Sequence, residues 1–171
     1  PERARCGIGY LPQEASVFRQ LTVRQNLDLA LDQTDLTTKD RRDRRNQLID
    51  EFHLSEFIDR RGFQLSGGER RRCEVARALA VGRDGPQYLL LDEPFAGVDP
   101  LAVADLQNLI QSLRQRGMGI LITDHNVRET LAITDRATIL NDGAILASGR
   151  AEHVSKDPLV RRYYLGEDFQ L

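Results

Sequence analysis

The sequence predicts an α/β protein built on a parallel β-sheet, and three observations support that fold class. Short apolar runs alternate with segments of helical periodicity, which is the order that places parallel strands between helices. The run 88–91 is continuously apolar, as in a strand covered on both faces, and 118–123 has the same character. Pro, Gly, Asn and Asp stand between these segments, where turns and helix ends prefer them.

The first third of the chain predicts a short strand followed by a largely helical region. Residues 8–11 are an apolar run that ends at Pro12, whose nitrogen has no hydrogen to donate to a β-ladder. Leucines recur at helical spacing within 22–65, and Thr37, with an aspartate three residues later, marks a helix start. The mixed charges of 39–45 predict a solvated helix face.

The rest of the chain alternates helices and strands more regularly. A helix is expected from Ser66 to about Leu79, ahead of the strand at 88–91. Asp99 and Pro100 suit the cap and the first position of a helix that stops at Gly117. The remaining expected elements are a strand at 118–123, a helix at 126–133, a β-hairpin at 136–147 with an Asn-Asp-Gly turn, a helix from 158 to before Gly166, and a tail at 167–171.

Composition and charge exclude several classes of protein. The chain has 171 residues, of which 40% are hydrophobic and 29% charged, as in a soluble globular domain rather than a disordered tail. Its net charge of -2 argues against a nucleic-acid partner, which would need a basic surplus. No apolar run approaches the roughly 20 residues of a membrane-spanning helix, and no signal-peptide core is seen. Two distant cysteines fit a reducing cytoplasm, and three scattered histidines lack metal-ligand spacing.

The segment Ser66-Gly67-Gly68-Glu69 predicts a helix start with a further role. Ser66 and Glu69 have the spacing of a capping box. Capping does not explain two glycines in the first turn, each of which costs about 1 kcal/mol of helix stability relative to alanine. Glycines permit close approach to exposed backbone N–H groups, which favours a bound phosphate over a cap alone. The arginines at 70–72 oppose the helix dipole and therefore require an anion or a carboxylate as partner.

Two carboxylates and a histidine follow the predicted buried strands. Asp92 and Glu93 stand at the carboxyl end of the first strand, at the edge where α/β folds bind ligands. One carboxylate could hold Mg²⁺, usually through water, and the other could polarise an attacking water. A surface turn is the alternative. His125 follows the second strand and is expected at the same edge, and a loop histidine beside a helix cap is its alternative.

The order and spacing of these motifs resemble the ATPase subunits of ATP-binding cassette (ABC) transporters over the whole chain. The matching segments are 10–13, 65–69, 89–94, 96–99 and His125. The resemblance implies a P-loop NTPase-type parallel sheet core with an inserted helical subdomain. It makes the chain one partial ABC ATPase domain, with the Q-loop strand and loop at 1–21, the helical subdomain at 22–65, the signature helix, Walker B, D-loop, switch histidine and hairpin at 66–150, and a C-terminal helix and tail at 151–171.

The resemblance also implies MgATP as cofactor, three catalytic residues (Gln13, Glu93 and His125) and Mg²⁺ binding by Asp92 and Gln13. Gln13 would be the Q-loop glutamine, which touches Mg²⁺ or the attacking water. Asp92 would be the Walker B metal residue, and Glu93 the catalytic base. His125 would be the switch histidine at the γ-phosphate. Such roles suit phosphoryl transfer, which depends mainly on positioning and charge stabilisation.

Two kinds of protein contact are implied in the same way. The signature residues Ser66, Gly67, Gly68 and Glu69 would bind ATP held by a second copy of the chain, with Asp99 at the dimer interface. Phe18 and Arg19, just beyond the Q-loop glutamine, are the candidates for contact with transmembrane permease subunits. The location implied is peripheral, on the cytoplasmic face of the inner membrane.

The finer resemblance is to lipopolysaccharide-export ATPases, and three segments carry it. These are 95–100, 123–130 and 164–169. They imply that ATP-driven dimer closure powers extraction of lipopolysaccharide from the inner membrane. ATPases of branched-chain amino-acid importers are the alternative within the family.

The chain departs from the family in one respect. A complete member carries the P-loop pattern GxxxxGK[ST], whose backbone and lysine cradle the β- and γ-phosphates. Only Lys39 and Lys156 occur here, and neither follows a glycine. We therefore expect an N-terminally truncated sequence whose isolated chain neither hydrolyses nor tightly binds MgATP.

Three readings from other classes remain as alternatives. A chromosome-maintenance ATPase would separate its motifs by a long coiled coil, but only about 50 residues separate Gln13 from Ser66 and no heptads appear. A serine hydrolase would need a G-x-S-x-G elbow around Ser66, which is absent. An inactive fragment that serves only as an interaction module is the third.

Overall fold

The structure is a computed structural model that describes residues 6–166, and it divides after Thr123 into two units. The first unit runs to Thr123 and contains a parallel sheet with helices. The second unit begins at Asp124 and contains a β-hairpin with short helices. The α/β class predicted from the alternation of apolar runs is confirmed by the first unit.

Three parallel strands form the sheet of the first unit, in the order β1-β2-β3. They are β1 (Ile8–Leu11), β2 (Tyr88–Asp92) and β3 (Gly119–Thr123). The register pairs Leu11 with Leu91 and Leu91 with Ile122. Because parallel strands end at the same edge of a sheet, Pro12, Asp92 and Thr123 all lie at the carboxyl edge. The predicted strands are confirmed in place, and their bounds agree with the prediction to within one residue.

Four helices accompany the sheet in the first unit. They are α1 (Val23–Leu31), α2 (Thr38–Glu51), α3 (Gly67–Ala78) and α4 (Pro100–Gln115), with 3₁₀ turns at Ser55–Phe57 and Gly62–Gln64. Each helix begins after a polar side chain that accepts a backbone N–H of its first turn. The predicted caps Thr37, Ser66 and Asp99 are confirmed, and α4 gives way to Gly117 at a φ of 89°.

The sheet is covered on one face only by the residues that the structure describes. Leu89 and Leu91 are buried, whereas Tyr88 is 57% exposed and Leu121 is 61% exposed. The prediction of strands covered on both faces is therefore wrong for this part of the chain. A continuous apolar run indicates that both faces of a strand favour burial. It does not specify which segment packs on each face.

The charged run at 39–45 also differs from its prediction. Arg44 is 8% exposed, and its guanidinium donates to the Leu79 carbonyl at 3.1 Å and to Gln47 at 2.8 Å. Burial lowers the pKa of Arg44. The prediction of a solvated face for this run is therefore wrong for Arg44. One side of α2 faces the core because of the helical periodicity. The aliphatic part of an arginine side chain can pack there while its guanidinium donates hydrogen bonds to nearby acceptors.

The second unit contains the predicted hairpin and four short helical pieces. The elements are α5 (Val127–Leu131), β4 (Arg136–Asn141), β5 (Ala144–Arg150), α6 (Ala151–Val154), α7 (Pro158–Val160) and a π-helical turn at Arg161–Leu165. Asp142 and Gly143 both have positive φ angles, as a two-residue hairpin turn of this hand requires. The helix α5 is shorter than predicted, α6 was not predicted, and the tail at 167–171 lies outside the described residues.

A small core holds this second unit together. Its buried residues are Leu131, Ile139, Ala151, Val154 and Val160. Within residues 6–166, no helix is both long and apolar enough to cross a membrane.

Candidate functional site

The carboxylate of Asp92 lies at the carboxyl edge of the sheet between two hydroxyl groups. Thr123, on β3, donates its Oγ1 hydrogen to Asp92 Oδ1 at 2.7 Å. Tyr10, on β1, donates its phenolic hydrogen to Asp92 Oδ2 at 3.4 Å. Both carboxylate oxygens keep further lone pairs, so Asp92 fits a cation held directly or through water. Among the residues described, no group of three His, Cys, Asp or Glu side chains could form a metal cage.

Glu93 adopts an unusual backbone conformation directly after β2. Its φ is 44°, in the left-handed region that non-glycine residues rarely occupy, at a cost of about 1–3 kcal/mol. Two backbone hydrogen bonds hold it there. Its N–H donates to the Thr123 carbonyl at 2.7 Å, and its carbonyl accepts from Arg71 Nη2 at 2.6 Å. The sheet edge and α3 together therefore fix the residue that the sequence identifies as a base.

Gln13 is exposed on the loop that follows β1, and α3 holds both ends of that loop. The Pro12 carbonyl accepts from Arg71 Nη1 at 3.1 Å. The N–H groups of Ser16 and Val17 donate to Glu74 Oε1 at 2.7 and 3.0 Å. The glutamine is thus presented at the same edge of the sheet as Asp92 and Glu93, on an anchored loop.

The capping box predicted at the start of α3 is confirmed. Ser66 Oγ accepts from the Glu69 N–H at 3.2 Å, and Glu69 Oε2 accepts from the Ser66 N–H at 2.9 Å. Arg60 donates to the other Glu69 oxygen at 3.2 Å. The exposed Ser66 therefore stands at a helix N-terminus whose geometry is fixed by its own turn.

The two glycines after Ser66 have a packing reason within the chain. A Cβ built on Gly67 would lie 2.8 Å from the Gly97 carbonyl oxygen. A Cβ built on Gly68 would lie 2.5 Å from the Ala102 Cβ, which is shorter than any real contact. The close approach that the sequence attributes to phosphate is made here by the loop before α4 and by α4 itself. A role for these glycines in binding phosphate stays a prediction.

Asp99 lies on the loop next to these glycines and caps α4. Its Oδ1 accepts from the Ala102 N–H at 3.0 Å. The side chain is exposed, and its Oδ2 lies 3.8 Å from the position of a Cβ on Gly68. The residues predicted to be the signature and the D-loop aspartate are therefore neighbours in one chain.

Phe18 and Arg19 lie at the surface of the first unit. Phe18 is 46% exposed, and the Arg77 guanidinium lies over its ring at 4.7 Å from the centroid. The backbone of Phe18 donates to and accepts from the side-chain amide of Asn26, at 2.9 and 3.2 Å. The aromatic ring is therefore held in a defined, accessible position.

His125 is the one predicted site residue that lies in the second unit. Its side chain is 67% exposed, and its Nδ1 lies 3.7 Å from Asp124 Oδ1. The same Asp124 oxygen accepts from the backbone and side chain of Asn126, at 2.8 and 2.9 Å. The structure therefore places the other predicted residues in the first unit and gives only the local surroundings of this histidine.

Two site residues were missed by the sequence reasoning, namely Arg71 and Glu74 on α3. Their side chains form an ion pair at 3.2 Å and are 6% and 1% exposed. The sequence did contain one signal, since arginines in the first turns of a helix require an acidic or anionic partner. It did not indicate which of the three arginines is buried, or against what.

This chain belongs to the ABC transporter family, whose model matches residues 1–96. Among curated proteins it is 56% identical to the lipopolysaccharide export system ATP-binding protein LptB of Haemophilus influenzae, over 99% of this chain and 69% of that relative. The resemblance stated from the motifs is thereby confirmed.

Solved ATP-binding cassettes share the fold. One cassette of an ABC transporter superposes with a TM-score of 0.80 at 27% identity, over 96% of this chain and 71% of its own. A dimeric cassette in a post-hydrolysis state, bound to ADP and Pi, superposes with a TM-score of 0.71 at 25% identity, over 84% of this chain and 62% of its own. The predicted ABC ATPase fold is confirmed.

Proposed function

We propose that this chain is the ATP-hydrolysing subunit of an ABC transporter that exports lipopolysaccharide. The observation that carries the proposal is 56% identity, over nearly the whole chain, to a relative named for lipopolysaccharide export. Family membership supports the ATPase activity independently of the cargo. The importer alternative has no comparable support and becomes an outcome of the test.

In this proposal each residue at the sheet edge has a separate role in ATP hydrolysis. Bound Mg²⁺ would neutralise the charge on the phosphates. Asp92 would hold the cation, Glu93 would take the proton of the attacking water, and Gln13 would orient that water. His125 would contact the γ-phosphate. The anchoring of Glu93 and of the loop of Gln13 supports these roles, because hydrolysis requires both groups to reach one water molecule.

The proposed partners are a second copy of the chain and transmembrane permease subunits. The exposed signature, Ser66 to Glu69, would bind ATP held by the second copy, with Asp99 at the dimer interface. The dimeric solved relative supports this arrangement. Phe18 and Arg19 would contact the permease, and the subunit would then lie on the cytoplasmic face of the inner membrane. The exposure of the Phe18 ring supports that contact.

We further propose that this chain by itself does not hydrolyse ATP. It contains no GxxxxGK[ST] pattern, and neither Lys39 nor Lys156 follows a glycine. Activity would therefore need an upstream segment that carries this pattern. We call the chain joined to such a segment the extended protein. Phosphate release by the 171-residue chain alone, at the rate of the extended protein, would contradict this proposal.

The cargo is tested by reconstitution. The extended protein, co-purified with its permease, is placed in proteoliposomes, and ATP hydrolysis is measured with lipopolysaccharide and with branched-chain amino acids. We expect lipopolysaccharide to change the ATPase rate and the amino acids to leave it unchanged. The opposite response would identify the importer alternative. Absence of hydrolysis in every condition would support an interaction module.

A further inference from the structure

Two buried charged residues on α3 connect the loops that carry the proposed catalytic groups. Arg71 and Glu74 are both buried. They stand one turn apart on α3, and their side chains lie toward the loop after β1 and the loop after β2. No assigned function uses either residue.

Arg71 employs all five of its N–H donors. One bond goes to Glu74 Oε2 at 3.2 Å, and the other four go to backbone carbonyls. These carbonyls belong to Pro12 at 3.1 Å, Asp92 at 3.1 Å, Glu93 at 2.6 Å and Pro94 at 3.1 Å. A single guanidinium therefore joins the residue that follows β1 to three consecutive residues, of which the first ends β2 and the other two follow it.

Glu74 completes the connection at the far end of the Gln13 loop. One of its oxygens accepts from Arg71, while the other accepts from the N–H groups of Ser16 and Val17 at 2.7 and 3.0 Å. A buried ion pair contributes little net stability, because desolvation of the two charges offsets their attraction. The pair instead fixes the positions of the loops after β1 and β2, which lie outside the hydrogen-bonded pairing of the strands.

We propose that Arg71 and Glu74 are positioning residues for hydrolysis, which hold Glu93 and the Gln13 loop in fixed relation to each other. This inference rests on the proposed function. Glu93 occupies a strained conformation, so its backbone needs partners that outweigh the strain, and Arg71 provides the bond to its carbonyl. The same helix begins with the proposed signature at Ser66, so one rigid element carries both the proposed contact to the ATP of the second copy and the anchors of the catalytic loops.

The first test measures backbone hydrogen exchange in the extended protein. Arg71→Lys keeps the charge but replaces a planar five-donor fork by three donors at one point. We expect exchange about tenfold faster in peptides spanning 12–17 and 92–96. Glu74→Gln is expected to affect mainly 12–17. The control is Arg42→Lys, an exposed arginine on α2 that has no part in the proposed site, and it should leave both peptides as in the wild type.

The second test measures ATP hydrolysis by the same proteins. Arg71→Lys should lower kcat by about 100-fold, because a shift of about 1 Å in a catalytic group has effects of that size. The KM for ATP should stay within about twofold of the wild type, since the proposed anchors do not bind nucleotide. Arg42→Lys should keep wild-type values of both constants.

The two tests separate this inference from the proposed function. If exchange at 12–17 and 92–96 is unchanged in Arg71→Lys, or if KM rises while kcat is kept, the positioning role is wrong. If the wild-type extended protein hydrolyses no ATP, the proposed function fails, and the exchange data still decide the anchoring. If Arg71→Lys does not fold, the same two measurements on Glu74→Gln test the positioning role, and unchanged exchange at 12–17 would contradict it.

Discussion

Single residues at this sheet edge owe their behaviour to neighbours from distant parts of the chain. Glu93 is strained at its own backbone, yet its N–H and carbonyl are bound by β3 and by α3. Arg44 follows the same rule in the helical region, where the Leu79 carbonyl accepts its buried guanidinium. The cost of a rare backbone conformation or of a buried charge is therefore offset by the hydrogen-bond partners of that residue.

The role of Glu93 can be tested by removing its basicity. In the extended protein we expect Glu93→Gln to lower kcat by about 10²–10⁴-fold, as the loss of a general base does, because an amide accepts no proton. The glutamine keeps the shape of the side chain, so ATP binding should persist and the ATP-bound dimer should accumulate. Phosphate release and size-exclusion chromatography measure the two effects. Hydrolysis at the wild-type rate would show that Glu93 is not the base.

The buried state of Arg44 predicts an effect on stability. Arg44→Ala leaves the buried carbonyl of Leu79 without this donor and should lower the free energy of unfolding by about 1–3 kcal/mol. Arg42→Ala is the matched control, since Arg42 is exposed on the same helix and should change stability by less than about 0.5 kcal/mol. Urea denaturation measures both. Equal effects of the two substitutions would contradict the burial of Arg44.

The thiol of Cys73 should be unreactive in the native protein. Burial raises its pKa from the ordinary 9.0 to about 12, and only the thiolate is nucleophilic. Iodoacetamide should therefore modify the exposed Cys6 and spare Cys73 at pH values below about 9, and should modify both in denaturant. Peptide mass spectrometry gives the result. Native labelling of both cysteines at one rate would contradict it.

The same shift predicts how stability depends on pH. The folded-state pKa of Cys73 lies above the unfolded value, so the folded state favours the protonated thiol. The contribution of this group is complete below pH 9.0 and is lost as the pH rises toward about 12. In Cys73→Ala this component should be absent, which makes the alkaline decline of stability shallower than in the wild type.

At the scale of elements, the start of α3 is shaped by its packing against α4. Gly67 and Gly68 allow the Gly97 carbonyl and the Ala102 methyl group to approach the helix backbone. The same turn is closed by the Ser66 and Glu69 capping box. The capping box and the two glycines therefore have different causes. The cap is a local hydrogen-bond pattern, whereas the glycines permit close packing against α4 and the loop before it.

The contact between these helices can be tested with a double-mutant cycle. Gly68→Ala places a methyl group against the Ala102 Cβ and should destabilise the chain by about 1–3 kcal/mol, although alanine is the better helix former. Ala102→Gly removes the clash, so the double variant should recover most of that loss. Thermal or urea unfolding of the four proteins gives the coupling energy. Strict additivity would mean that the two residues do not meet.

At the scale of the molecule, the first unit has one buried sheet face and one exposed face. Leu91 is 1% exposed on the buried face, and Leu121 is 61% exposed on the other, beside Tyr88 and Tyr10. The described part of this unit therefore has no layer of its own over this apolar face.

The asymmetry of the two faces predicts unequal effects of one substitution. Leu91→Thr should destabilise the protein by about 3 kcal/mol or more, since it removes buried apolar atoms and buries a hydroxyl. Leu121→Thr should change stability by less than about 1 kcal/mol, because threonine suits an exposed strand position. It should also lower the fluorescence of a bound apolar dye such as ANS. Equal destabilisation by both would show that the second face is covered.

The sequence by itself determined the features whose cause is local. The caps at Thr37, Ser66 and Asp99 depend on bonds between residues three apart, and the strands and hairpin turn depend on short runs and turn residues. The order of the motifs along the chain also carried the family. The caps, strands and turn depend on a few neighbouring residues, and the order of the motifs is read directly along the chain, so all of them could be predicted without a structure.

Only the tertiary structure decided which charges are buried, what packs closely against Gly67 and Gly68, and which sheet face is covered. Arg71 meets the Pro12 carbonyl across 59 positions of sequence, and Arg44 meets the Leu79 carbonyl across 35. Such contacts follow from how helices and strands pack, and hydrophobic periodicity does not specify the partner of a polar group. The anchoring of Glu93 and the Gln13 loop therefore became visible only in the folded chain.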